Sequence, residues 1–209
     1  MHLEKGELRA PPAKNPVSSR IVAVARHHFL AHGFRGVTMD DLAEQLGMSK
    51  KTLYTHFPSK AVLLEAMLLD KFRGIEADLE QITSECSSDF HHALHQLLAC
   101  VQRHAEEIQP PFIRDLQREA PEMFQWVEDR RRNLIRRYFG KFFSEGRKAG
   151  VIRKDIPAEL VIEILLGALQ AVMNPSKMTE LGLTPKAAYT AIIRVIFEGV
   201  ITTAPRSKR

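Results

Sequence analysis

The chain has 209 residues, a formal net charge of +5 and 44 % hydrophobic residues, enough for a buried core, which excludes an intrinsically disordered chain. Residues 1–60 carry nine Lys/Arg against five Asp/Glu and residues 61–209 carry 21 against 20, so the positive potential belongs to the N-terminal segment and points to a polyanion there. Two cysteines exclude a disulfide framework, and no signal-like N-terminus or bilayer-length apolar run stands out, so a reduced cytoplasmic protein with no membrane contact is expected.

Residues 1–17, with Gly6, Pro11, Pro12, Asn15 and Pro16, read as an arm. Its Lys5, Arg9 and Lys14 are suited to trail along phosphates, a solvated tail without a role being the alternative. The first helix is expected from a Ser18 or Ser19 cap to about His32, with Ile21, Val22, Ala25 and Phe29 inward and Gly33 at its end. Thr38 and Asp41 form a capping box for a second helix, whose Met39, Leu42, Ala43 and Leu46 share one face. Gly47 supplies a sharp turn, and Ser49 caps a third, short helix with Leu53 and Phe57 pointing inward. Pro58 stops that helix and Ser59 caps the next.

The outward face of the third helix is Lys50, Lys51, Thr52, Tyr54, Thr55 and His56, with no acid among them. Lysines neutralise phosphates, and hydroxyls and imidazole donate to phosphate oxygens or base edges. A short helix after a glycine turn is the geometry that enters a major groove by its N-terminal end. The expected DNA-binding set is therefore Thr38, Ser49, Lys50, Lys51, Thr52, Tyr54, Thr55, His56 and Lys60. An ordinary helical hairpin with a solvated face is the competing reading.

Further along, the spacing predicts an all-α chain. A long fourth helix carries Leu63, Ala66, Met67, Ile75, Leu79 and Ile82, and a fifth spans about Phe90–Ile108. Pro110 and Pro111 begin a short helix, and Pro121 opens a longer one ending near Gly150. Two more begin at Ile156–Pro157 and Thr184–Pro185. In both of these last helices the apolar residues exceed one stripe, more than a monomer of this size has use for. A two-fold pairing into a four-helix bundle would bury them, with Leu165, Ala168, Leu169, Ile193, Ile196 and Phe197 as the expected homodimer interface. Monomer core is the alternative. The division expected is a 1–17 arm, an 18–64 DNA-binding domain and a 65–209 regulatory and dimerisation domain.

No nucleophile–base pair, phosphate loop or paired-carboxylate cluster emerges, so no catalytic residue, enzyme activity or cofactor is expected. His91 and His95 are one turn apart, as are Cys100 and His104, but no third ligand is evident and no metal site is expected. Arg130–Arg132 and Arg136–Arg137 lie among acids such as Glu128 and Asp129, which reads as a solvated helix face.

The N-terminal pattern resembles the TetR family of transcriptional regulators. The resemblance rests on Phe29, Gly33, Phe34, Thr38, Leu42, Ala43, Gly47, Ser49, Thr52, Leu53, Tyr54, Phe57, Ser59 and Lys60, and it is specific over about residues 18–65. Lys51 departs from it, standing where glycine is frequent. The resemblance implies a homodimeric repressor on a palindromic double-stranded DNA operator. It also implies a pocket for a small apolar or amphipathic effector between the fourth and eighth helices. The candidates for that pocket are Phe112, Arg114, Leu116, Phe124, Trp126 and Phe139, where the aromatics concentrate. Plain core is the alternative for the aromatics, and a satisfied ion pair for Arg114 beside Asp115.

Overall fold

Asn15 opens the first helix. In the computed structural model, which describes residues 15–85 and 89–201, α1 spans Pro16–His32. The Asn15 side chain accepts from the Ser18 backbone N–H at 2.7 Å, and Pro16 fills the first helical position, where no N–H is needed. The cap expected at Ser18 or Ser19 is thereby corrected. Ser18 is buried inside the helix, its hydroxyl 3.2 Å from His56 Nδ1. The arm's Lys5, Arg9 and Lys14, and Cys86, lie outside the described residues.

Then come α2 (Met39–Leu46), α3 (Lys50–His56) and α4 (Lys60–Glu85), close to the predicted bounds. They are followed by α5 (Phe90–Glu106), α6 (Pro110–Glu119) and α7 (Pro121–Leu134). A single π-turn at Ile135–Phe139 links α7 to α8 (Gly140–Lys148). The long helix expected from Pro121 is thus interrupted by one bulge. The last described helices are α9 (Ala158–Val172), a short α10 (Pro175–Glu180) that spacing does not reveal, and α11 (Pro185–Val200).

The packing groups these helices into two units. The first comprises the chain up to Gly74 together with Glu107–Arg130, and the second comprises Ile75–Glu106 and the chain from Arg131 onward. The division expected at residue 64 put residues 65–74 and 107–130 in the second domain. Here they complete the core of the first, because three short helices bury too little apolar surface alone. Phe29, Leu42, Leu53 and Phe57 of the first three helices and their loop meet Leu63, Leu64 and Met67 of α4, and Phe112 and Leu116 of α6 close the cluster.

Polar ties hold α6 and its approach in place. Arg26 of α1 forms a bidentate pair with Glu107, with N–O distances of 2.7–2.9 Å, and Lys71 Nζ reaches the same carboxylate at 3.0 Å. Lys71 is almost fully buried, so burial depresses its pKa while Glu107 pulls it back up. Burial raises Glu107, but Lys71 and Arg26 together hold its carboxyl below the ordinary range.

In the second unit Phe90, Phe139, Phe142, Phe143 and Phe197 form an aromatic core, with Phe143 and Phe197 stacked at 5.7 Å. Gly146 is required there: a Cβ would lie 2.5 Å from the Phe90 ring. An antiparallel bridge, Ile152 to Ile201, closes the C-terminal end of α11 onto the loop after α8.

The dimer interface expected from sequence needs correction. Leu165, Leu169, Ile193 and Phe197 are at most 3 % exposed and face their own unit's core. Ala168 and Ile196 are only half-buried. A helix that is apolar on more than one side turns its fuller face inward. What remains outside is a different stripe: Leu160, Ile164, Gly167 and Ala171 on α9, and Ala191, Val195 and Gly199 on α11.

A candidate DNA-binding helix-turn-helix

The Thr38 capping box forms as the sequence requires. Asp41 N–H donates to Thr38 Oγ1 at 3.1 Å, and Thr38 N–H donates to Asp41 Oδ2 at 2.8 Å. The box accounts for a lowered Asp41 pKa through hydrogen bonds from the Thr38 backbone and then its side chain. Gly47 adopts the left-handed region at φ +63°, ending α2, and Met48 N–H closes the turn onto the Ala43 carbonyl at 3.0 Å. Arg20 of α1 donates to the Leu46 carbonyl at 3.0 Å, fixing the end of α2 to the first helix.

Ser49 caps α3 by accepting from Thr52 N–H at 3.1 Å, and the two hydroxyls lie 2.8 Å apart. Leu53 and Phe57 are buried as expected. Lys50, Lys51, Thr52, Tyr54 and Thr55 are exposed. Thr55 donates its hydroxyl back to the Lys51 carbonyl at 2.9 Å. The third helix therefore presents its cationic and hydroxyl groups on one accessible side.

Three of the expected contact residues have partners the sequence does not reveal. Lys50 Nζ sits 2.7 Å from Asp40 Oδ2, an exposed pair at the tip of the hairpin, and the hydrogen bond and charge of Asp40 raise the lysine's pKa. His56 is tied to Ser18 through Nδ1. Lys60 lies over the Phe34 ring at 4.5 Å to its centroid and donates to the Arg35 carbonyl at 3.3 Å, with partial burial lowering its pKa.

The loop between α1 and α2 is fastened from an unexpected direction. Gly33 has φ +89°, and a Cβ there would lie 2.5 Å from the Asp115 carboxylate of α6. That carboxylate also accepts from Arg35 N–H at 3.0 Å. Asp115, buried on α6, thereby braces the hairpin.

The effector candidates are divided between two cores. Phe112 and Leu116 are buried core of the first unit, and Phe124 and Trp126 pack against that core, Trp126 edge-on to Phe72 at 5.3 Å. Phe139 belongs to the aromatic core of the second unit. Arg114 is exposed, 3.8 Å from Asp115. Aromatic residues at helical spacing have gone to filling two cores. A cleft of about 370 Å³ in the second unit is lined by Gly140, Ser144, Arg147, Lys148 and Ile162 among others, none of them among the candidates.

A capped helix-turn-helix with a basic, acid-free reading helix, braced on a helical core, defines a DNA-binding protein of the regulator class. Residues 21–67 match the sequence profile of the family described as "Bacterial regulatory proteins, tetR family". Over residues 21–67 the chain is therefore similar to the DNA-binding segment of that family. Among curated proteins it is 23 % identical over 199 residues to the HTH-type transcriptional regulator UidR of Escherichia coli K12, covering 90 % of this chain and 95 % of that one. It is also 23 % identical over 202 residues to the HTH-type transcriptional repressor DhaR of Mycobacterium sp. GP1, covering 90 % and 94 %. A TetR-family regulator structure from Agrobacterium tumefaciens shares the fold at a TM-score of 0.68 and 17 % identity, covering 89 % and 98 %. Among the described residues no helix is long and apolar enough to cross a membrane.

Proposed function

We propose that the protein is a cytoplasmic, effector-responsive repressor that acts by binding rather than by catalysis and holds a palindromic operator as a homodimer. The observation that carries this reading is the accessible side of α3, where Lys50, Lys51, Thr52, Tyr54 and Thr55 stand with no acid between them. Lys51, Thr52 and Thr55 approach base edges. Lys50, Tyr54, His56 and Lys60 meet phosphates, with the Thr38 and Ser49 hydroxyls directed to the same strand. Lys50 exchanges Asp40 for a phosphate on binding, and Lys60 keeps its protein contacts while lending charge.

Two such helices are needed, since one short helix offers few base contacts. A two-fold pair sets them about 34 Å apart, one turn of DNA. The exposed apolar stripes of α9 and α11 are the surfaces we assign to that pairing. Support for effector control comes from relatives: one solved structure, 18 % identical, is a regulator from Saccharomonospora viridis in complex with choline. Coupling of about 1–3 kcal/mol between sites lowers operator affinity roughly 5–150-fold.

Selection of duplexes from a random pool by the purified chain, followed by fluorescence anisotropy at physiological salt, tests the reading. A recovered inverted repeat bound at least a thousandfold more tightly than scrambled sequence is expected, about the lower end for specific DNA binders. Equal affinity for both would overturn it.

A further inference from the structure

Helical spacing places Cys100 and His104 one turn apart on α5, and the fold supplies the third group that the sequence does not show. Asp78, in the second-unit part of α4, directs Oδ2 to within 2.7 Å of His104 Nε2. One donor atom from each of Asp78, Cys100 and His104 lies within 4.8 Å of the other two. Cys100 is buried, and Asp78 and His104 are half-buried. We propose that these three side chains bind a single borderline-soft divalent cation of the zinc class, with water as the fourth ligand.

The donor set selects the metal. Thiolate and imidazole favour zinc, cobalt and their neighbours over magnesium or calcium, which take oxygen shells. Around a tetrahedral zinc ion, with ligands at 2.0–2.3 Å, donor atoms stand about 3.3–3.8 Å apart. The Asp78–His104 contact opens by less than about an ångström to reach that spacing, and the wider separations close by about one. Side-chain rotation alone covers such shifts.

Charge favours the same conclusion. A carboxylate, a thiolate and a divalent cation sum to zero, which suits a site with one buried ligand. A thiol that ligates the cation gives up its proton to solvent as the metal–sulfur bond forms. Arg103 also pairs with Asp78 at 2.6 Å. Its side chain is 59 % exposed, so its charged end can turn outward when the cation arrives. An ion pair alone explains Asp78 with His104 and Arg103, but it has no use for a thiol at the same point.

Binding would clamp α4 to α5 within the second unit. The site is independent of any operator or effector, so its test stands apart from the regulatory reading. The full-length chain is titrated with Co²⁺ alone and followed by absorption. One equivalent should give an intense near-ultraviolet thiolate-to-cobalt band with tetrahedral visible bands, all abolished by Zn²⁺. Cys86→Ser should retain the spectrum and Cys100→Ser should lose it. Asp78→Asn and His104→Gln, checked for native circular dichroism, should weaken Zn²⁺ binding at least about tenfold, as the loss even of outer-shell partners does. No thiolate band at saturating Co²⁺, or a band that follows Cys86 and survives Cys100→Ser, would overturn the site.

Discussion

Lys50 is the residue where the free and DNA-bound states compete most directly. Its 2.7 Å partner, Asp40, is as exposed as the lysine, and solvent screens such a pair, so on the proposed reading a phosphate displaces it readily. On that reading Asp40 competes with DNA phosphate for Lys50. Replacing it with asparagine should raise affinity for random duplex DNA. Lys50→Ala should weaken binding to all duplexes and flatten the dependence of log affinity on log salt by about one unit. Anisotropy titrations across a salt series read both effects, and an unchanged slope for Lys50→Ala would remove it from the phosphate contacts. Gly33 is a second residue with a sharp expectation. Its φ of +89° and the Asp115 carboxylate 2.5 Å from a hypothetical Cβ make Gly33→Ala costly, about 1–3 kcal/mol in urea unfolding.

At the scale of elements, the hairpin was legible in the sequence because its signals are local. The Thr38 box, the Gly47 turn and the Ser49 cap each act within a few residues, and all three appear as read. What escaped was non-local. Asp115 bracing the loop at Gly33 and Glu107 meeting Arg26 span 80 or so residues, Lys71 meets Glu107 across 36, and no spacing rule connects them. The inward and outward faces of α9 and α11 were also hidden, since a helix apolar nearly all round does not say which stripe its own core takes. The same holds for Asp78, which completes a donor set that α5 alone leaves short. The Glu107 junction yields a pH prediction. Its folded carboxyl titrates below the ordinary 4.5, so the unfolded chain binds the proton more readily there. The stability it contributes is complete above about 4.5 and is lost as pH falls through the folded value. Glu107→Gln should lower stability at neutral pH, where buried Lys71 loses its counter-charge, by about 1–3 kcal/mol after allowance for partial exposure. It should also flatten the acid limb of a plot of unfolding free energy against pH. An acid limb identical to the parent's would place the linkage elsewhere.

For the whole molecule the deciding quantity is what covers α9 and α11. Val195 is 70 % exposed, and Leu160 and Ile164 are each 50 % exposed, an apolar display that a monomer leaves in water at a cost of about 25 cal/mol per Å². Pairing two copies removes that cost twice over and brings two reading helices into one assembly. Substituting the outer stripe and substituting the inner one should then have opposite signatures. Ile164→Glu or Val195→Glu leaves the core intact and should give a folded monomer by sedimentation, with helical content retained and operator affinity reduced by two orders of magnitude or more, as half of the contacts are lost. Ile193→Glu places a carboxylate in a site only 2 % exposed and should instead unfold the second unit, because an unpaired buried charge costs several kcal/mol. A dimer that survives both outer substitutions would move the subunit interface off these helices, and with it the spacing that a palindromic operator must match.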